Sequence, residues 1–264
     1  MEEIIKFLNR EVPSKILLIL FAYKDGKIGD DFLGPLTITK LLYPNNPLFA
    51  GSVIENINEL ERFGIIYSKR ERIENRKRRI LFVNFRKFVD IFDYYYNLEL
   101  TEEEKDFLAK WFSEVDWRVL VEGVFEEIIR GRLERNIIQI VGDSIRAVLD
   151  AFSFLRIDIT KLNKLEAKEK KEQIIKIFEK FEKLKISLPY AKNDVDLNIY
   201  IDFYKKLLSL PNEILKKLGK LTYSSGIIEK LLLSSAFPIL FLIINKKLLF
   251  ELLELLESSK QAKK

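Results

Sequence analysis

Residues 50–85, AGSVIENINELERFGIIYSKRERIENRKRRILFVNF, decide the fold of the N-terminal part of this chain. The first half predicts a helix, because its apolar residues fall on one helical stripe made by Val53, Ile57 and Leu60. Ser52 and Glu55 have the S-x-x-E spacing of a capping box, so we expect the helix to begin at Ser52. Gly64 is expected to end it, since glycine readily adopts the conformation that closes a helix.

The second half of this stretch predicts a basic hairpin. Two strands, Ile65–Ile73 and Arg78–Phe85, are expected to fold about Glu74-Asn75. Between residues 69 and 79 the basic residues are Lys69, Arg70, Arg72, Arg76, Lys77, Arg78 and Arg79, against the acidic Glu71 and Glu74. Seven positive and two negative charges give +5, which is also the formal charge of the whole chain. The net charge is therefore concentrated on this hairpin.

A local basic excess of this kind is typical of a contact with nucleic acid, since cationic side chains displace counterions from phosphates. The alternative interpretation is a solvated hairpin whose charges prevent pairing with other strand edges. We favour the nucleic-acid contact, because the excess is concentrated on one element and not spread over the chain.

Composition argues against most classes of enzyme. The 264 residues include no His and no Cys, which removes the commonest general base and the commonest zinc ligands. Asp143, Asp150 and Asp158 are spaced by seven and eight residues, but charged residues on amphipathic helices usually face water. No phosphate-binding loop or nucleophile elbow is present. We therefore expect a protein that is not an enzyme and that needs no cofactor or metal.

The hairpin follows a series of expected helices. They cover Ser14–Tyr23, Leu36–Tyr43 with Pro35 as first residue, and the helix from Ser52; residues 86–98 return to helical spacing after the hairpin. This order over about residues 10–98 resembles the winged helix-turn-helix domain of prokaryotic and archaeal transcription regulators. The resemblance makes TITKLL the supporting helix, SVIENINELERFG the recognition helix and YSKRERIENRKRRILFV the wing.

The resemblance implies a set of residues that contact DNA beside the wing. On the recognition helix, Asn56 is a candidate for reading an adenine edge and Arg62 for meeting a phosphate or guanine. Ser52 is expected to cap the helix and is a second candidate for a phosphate contact. Thr37 and Thr39 are further candidates for phosphate contacts, or alternatively a helix cap and an ordinary exposed residue.

Two carboxylates keep a second function open. Glu55 and Glu59 share the exposed face of the expected recognition helix, where they would meet the negative potential of DNA. They fit a domain that binds DNA mainly through its wing. They also fit an interaction or scaffold module in which the winged helix binds protein.

Beyond residue 99 the sequence predicts only helices. Thr101 and Glu104 form a capping box, and helices are expected near residues 116–129, 132–155, 174–184, 196–209, 211–221 and 225–257. Residues 158–172 are polar and rich in lysine, and are a candidate for a linker or an exposed helix. The apolar run 231–245 is shorter than the ~20 residues that span a membrane, so we interpret it as a buried core helix.

The expected protein is mainly α, with two domains. Residues 1–98 form a winged helix-turn-helix that binds double-stranded DNA. Residues 99–264 form an all-helical domain for dimerisation or for binding a protein partner or small ligand. We expect a transcription regulator that acts as a homodimer in the cytoplasm, without membrane attachment. Many Lys, Glu and Ile residues, and few Gln, favour a thermophilic source.

Overall fold

The computed structural model describes residues 1–73, 76–117, 133, 135–154, 164–165, 169, 172, 206 and 209–221. The chain divides into two compact units, Met1–Gly142 and Asp143–Lys264. In the described part the protein is mainly α, with two small antiparallel sheets of two strands each, which confirms the predicted class. The elements are α1 (Glu2–Leu8), α2 (Glu11–Ala22), β1 (Lys27–Ile28), β2 (Asp31–Phe32), α3 (Pro35–Leu42), α4 (Ala50–Arg62), β3 (Ile66–Ile73), β4 (Arg76–Val83), α5 (Phe85–Tyr96), α6 (Glu102–Glu114), α7 (Ile137–Phe154) and α8 (Asn212–Leu218).

Helix α2 is the central element of the first unit. Every residue from Pro13 to Ala22 is buried. A helix that is apolar all round must be covered on all sides, and α2 packs against α1, α3, α4 and β4. The predicted helix at Ser14–Tyr23 is therefore confirmed, with a start a few residues earlier, at Glu11.

A cluster of aromatic rings joins α2 to α5 and α6. The ring of Phe21 meets those of Phe88, Phe112 and Trp117 at centroid distances of 4.7, 6.3 and 5.5 Å, in edge-on geometry. Such edge-to-face pairs add stabilisation beyond the area that they bury. Because α6 also packs against α5, it lies in the same compact unit as the helices before it. The predicted boundary at residue 98 remains a prediction.

The start of α4 differs from the prediction. The helix begins at Ala50 directly after a single 3-10 turn, Pro47–Phe49, and no side chain caps it. The predicted capping box of Ser52 and Glu55 is therefore wrong. Ser52 is already the third helical residue, where its backbone is helical and its side chain is too late to cap the helix.

The end of α4 is as predicted. Gly64 has a φ of +70°, its N–H donates to the carbonyl of Glu61 at 2.8 Å, and the N–H of Ile65 donates to that of Leu60 at 3.0 Å. This pair of hydrogen bonds is the Schellman motif. Leu60 and Ile65 are both buried, which adds the apolar contact that accompanies this motif.

Residues 28–34 contain the end of the miniature hairpin β1–β2 and an edge segment. The N–H of Leu81 in β4 donates to the carbonyl of Leu33 at 3.0 Å, so this segment runs along the outer edge of β4. The next residue is Gly34, where a Cβ atom would lie 2.7 Å from the carbonyl oxygen of Arg79. Glycine thus permits the close approach, and Pro35 then begins α3 as predicted.

The capping box at the start of α6 is confirmed. The N–H of Glu104 donates to Thr101 Oγ1 at 3.2 Å, and the N–H of Thr101 donates to the Glu104 carboxylate at 2.7 Å. Beyond the cap, Arg86 of α5 forms ion pairs with Glu102 and Asp106 of α6. The hydrogen bond with Glu102 raises the pKa of the Arg86 guanidinium above its ordinary value.

We expect Thr101→Ala to lower the free energy of unfolding by about 1 kcal/mol, because an orphan N–H of the first turn loses its acceptor. Urea denaturation measures the change. Thr101→Ser keeps the hydroxyl and is expected to stay near the parent. Equal stability of the alanine and serine variants would show that the cap contributes nothing.

Helix α7 begins later than predicted, at Ile137 instead of residue 132. Its start is fixed in the first unit by two polar contacts. The N–H of Ile137 donates to Ser14 Oγ at 3.2 Å, and Asn136 Nδ2 donates to Asn9 Oδ1 at 2.6 Å. In the second unit, Arg146 donates to the carbonyl of Gly219 at 2.5 Å, just after α8.

Several predictions lie outside the described residues. These are the helices expected at 174–184 and 225–257 and the apolar run at 231–245. Most of the helices expected at 116–129 and 196–209, and most of the linker or exposed helix expected at 158–172, also lie outside them. In the ranges that the structure does describe, no helix combines the length and hydrophobicity that crossing a membrane requires.

Candidate nucleic-acid interface

The register of β3 and β4 sorts the basic residues onto two faces. The strands pair antiparallel from Ile66 opposite Val83 to Ile73 opposite Arg76. Because side chains alternate along a strand, one face, here called the arginine face, carries Arg70, Arg72, Lys77 and Arg79. The other, here called the aromatic face, carries Tyr67, Lys69, Glu71, Arg78, Ile80 and Phe82. The side chain of Arg76 lies outside the described part.

The arginine face places like charges directly opposite each other. Arg70 pairs with Arg79, and Arg72 pairs with Lys77. The side chains of Arg70, Arg72 and Lys77 are exposed, and none of them forms an ion pair with a described residue. Like charges at directly opposed positions destabilise a sheet. An anion bound across the two strands would relieve this repulsion.

Arg79 is the member of this face that is already engaged. Its guanidinium forms an ion pair with Glu61 of α4, and Nη2 donates to Asn58 Oδ1 at 3.2 Å. A phosphate would have to compete with Glu61 for this group. The structure therefore gives Arg79 a positioning role, which holds the arginine face beside the exposed side of α4.

The placement of Asn56 corrects the prediction. Asn56 was expected on the exposed face of α4, but it is only 4% exposed, and its Nδ2 donates to the carbonyl of Ser52 at 2.7 Å. The reason is its position three residues after Val53 and four before Leu60, which puts it on the buried side of the helix. Asn58 is the exposed asparagine of α4.

We expect Asn56→Ala to lower the free energy of unfolding by about 1 kcal/mol, since a buried hydrogen bond is lost. It is expected to leave the ratio of affinities for different duplex sequences unchanged. Thermal melts and competition titrations measure the two effects. A loss confined to one preferred DNA sequence would restore Asn56 as a base-reading residue.

The remaining exposed face of α4 is not basic. Arg62 pairs with Glu59 at 2.7 Å and with Glu3 at 3.4 Å, and the hydrogen bond to Glu59 raises the pKa of its guanidinium above the ordinary value. Ser52 and Glu55 are exposed. The predicted DNA contact of Arg62 would therefore have to form beside two carboxylates. Ser52 is accessible for its predicted phosphate contact.

The two threonines of α3 use their hydroxyl groups within the protein. Thr37 Oγ1 donates to the carbonyl of Phe32, and Thr39 Oγ1 donates to that of Pro35, both at 2.8 Å. Thr37 is half-buried and Thr39 is buried. Thr39 is therefore not a surface residue, and neither threonine is the cap of α3, which is Gly34.

The aromatic face was not predicted from the sequence. Tyr67 lies directly opposite Phe82, with ring centroids 5.5 Å apart and an angle of 22° between the planes. Lys69 Nζ lies 5.2 Å from the centre of the Phe82 ring. Lys27 and Arg78 lie over the ring of Phe32, at 5.0 and 6.0 Å. The signal available in the sequence was Tyr67 two residues before Lys69 on β3, together with Phe82 on the returning strand.

Comparisons with protein families, with characterised proteins and with solved structures give no match to this chain. Within the described ranges, no group of three or more acidic side chains is placed to hold a metal ion. Function is therefore inferred from the geometry and charge of the hairpin and of α4.

Proposed function

We propose that this protein binds duplex DNA, and that the arginine face of the hairpin contacts the phosphates. The observation that carries the proposal is the exposure of Arg70, Arg72 and Lys77 on one face, with like charges in opposed positions. Duplex DNA presents closely spaced phosphates, and each neutralised phosphate releases condensed counterions. The bound state would thus remove a repulsion that the free hairpin contains.

The order of the elements supports a winged helix-turn-helix as the framework for this contact. A central helix, an edge segment at Leu33, two helices and a two-stranded hairpin follow one another as α2, the β4 edge, α3, α4 and β3–β4. In the proposal, α4 is the recognition helix and the hairpin is the wing. The exposed carboxylates of α4 favour binding through the wing, with Asn58 as the candidate for a base contact.

A titration of random-sequence duplex at several salt concentrations tests the proposal. Phosphate contacts from Arg70, Arg72 and Lys77, the three exposed cations of the arginine face, predict a slope of log affinity against log salt of about −2.7, from about −0.9 for each contact. A protein that does not bind duplex DNA, or that binds it independently of salt, would contradict the proposal.

We further propose that the protein regulates transcription and acts as a homodimer. Residues 99–264 would provide the contact between its subunits. Two-fold regulators place two recognition elements on paired half-sites, which a monomer cannot do. Sedimentation of the full chain measures its mass in solution. A monomer at all concentrations would contradict the dimer and leave the DNA contact standing.

A second candidate function is binding of a protein partner at the start of α4. Leu48 and Phe49 are exposed in the turn between α3 and α4, and Leu48 is 90% exposed. Together with Glu55, this surface is acidic and apolar, which suits a protein better than DNA. Loss of partner binding in Leu48→Ser, with DNA binding unchanged, would assign the two functions to separate surfaces.

A further inference from the structure

The aromatic face of the hairpin has the features of a stacking surface. Tyr67 is 44% exposed, although its partner Phe82 is half-buried. The Phe82 ring is held from behind, since a Cβ atom on Gly26 would lie 2.9 Å from its edge. The Phe82 ring is thus fixed by the fold. The Tyr67 ring lies beside it on the neighbouring strand, with much of its surface open to solvent.

Cationic groups accompany these rings. Lys69 follows two residues after Tyr67 on the same strand face, is exposed, and lies over Phe82. On the same face, Glu71 lies opposite Arg78 in the register of the two strands. Lys69 thus places a positive charge beside the two stacked rings.

We propose that Tyr67, Phe82 and Lys69 bind an unpaired strand of DNA, with a base stacked on the Tyr67 ring and a phosphate near Lys69. Exposed aromatic rings beside cations bind single strands with little sequence preference, because every base has a π face. The bases of a duplex are already stacked on one another, so they are not available to stack on the Tyr67 ring. The site uses other side chains than the arginine face and does not depend on the proposed duplex contact.

The two faces would let one hairpin contact both kinds of DNA. The arginine face carries positive charge without an exposed ring, which suits the backbone of a duplex. The aromatic face carries exposed aromatic surface with Lys69 beside it, which suits unpaired bases. The hairpin would thus fit a site where duplex and unpaired strand meet.

The test uses the full chain and two labelled strands of equal length, oligo-dT and its abasic analogue, in anisotropy titrations. The parent is expected to bind oligo-dT more tightly than the abasic strand. Tyr67→Ile keeps a good strand former opposite Phe82 but removes the flat ring, so affinity for oligo-dT is expected to fall by about 5- to 100-fold. Tyr67→Phe is expected to retain parental affinity.

Tyr94→Leu is the matched control, because Tyr94 is an equally exposed tyrosine, at 50%, on α5. It is expected to bind as the parent does. Oligo-dT binding that is unchanged in Tyr67→Ile would overturn the proposal, as would an equal loss on the abasic strand or tighter binding of oligo-rU than of oligo-dT. If the protein does not bind duplex DNA but Tyr67→Ile still weakens oligo-dT binding, the proposed duplex contact is overturned and the single-strand site stands.

Discussion

Replacing Arg70, Arg72 and Lys77 together by glutamine is expected to lower the affinity for random duplex DNA by about two to three orders of magnitude near 0.1 M salt. This magnitude follows because each phosphate contact contributes about 0.9 to the slope of log affinity against log salt. These three side chains are exposed on one face of the hairpin and free of ion pairs with described residues. The free protein is expected to become slightly more stable, because Arg72 and Lys77 no longer repel each other across the strands.

A triple variant with the same change in net charge separates the local effect from the global one. Lys6→Gln, Lys110→Gln and Lys216→Gln remove three exposed lysines from α1, α6 and α8. This variant is expected to keep most of the duplex affinity. Equal losses in both triple variants would mean that DNA responds to the total charge of the chain and not to the arginine face.

The largest expected effect on stability comes from Phe21→Ala. Phe21 is 1% exposed and its ring meets those of Phe85, Phe88, Phe112 and Trp117. Its truncation removes these contacts and leaves a cavity, so the free energy of unfolding is expected to fall by about 3–5 kcal/mol. Chemical denaturation followed by tryptophan fluorescence measures the change, since Trp117 lies within the cluster.

Phe107→Ala is the matched control for this variant. Phe107 lies on α6 and is 42% exposed. Surface substitutions away from special features change stability by about 0.5 kcal/mol or less. Similar losses in both variants would show that the ring cluster around Phe21 does not dominate the stability of this unit.

Local patterns were sufficient for the elements whose signals lie within a few residues. The glycine at the end of α4 and the Thr101–Glu104 box act through neighbouring backbone groups. The continuous apolar run of α2 indicates by itself a helix that is covered on all sides. The start of α4 failed because a 3-10 turn added helical residues before Ser52. That addition depends on how the chain enters the helix, which the capping pattern does not contain.

The sequence predicted the positive charge of the candidate site but not the contacts between its side chains. The sequence shows that seven basic residues cluster in the hairpin, but not that Arg79 pairs with Glu61, because these residues come together only through packing of the hairpin on α4. The buried position of Asn56 was readable from its spacing to Val53 and Leu60. The pairing of Tyr67 with Phe82 needed the strand register, which fixes the cross-strand neighbours.

The central claim is that duplex DNA lies against the arginine face and the adjoining side of α4. The chain contains no cysteine, so single cysteines report on chosen positions. Asn58→Cys places a thiol on α4 beside Arg79, and Glu71→Cys places one on the aromatic face. The measurement is the rate at which a bulky maleimide alkylates each thiol, with and without saturating duplex. We predict that duplex slows alkylation severalfold at residue 58 and leaves it unchanged at residue 71. Protection of residue 71 alone, or of neither residue, would contradict the account.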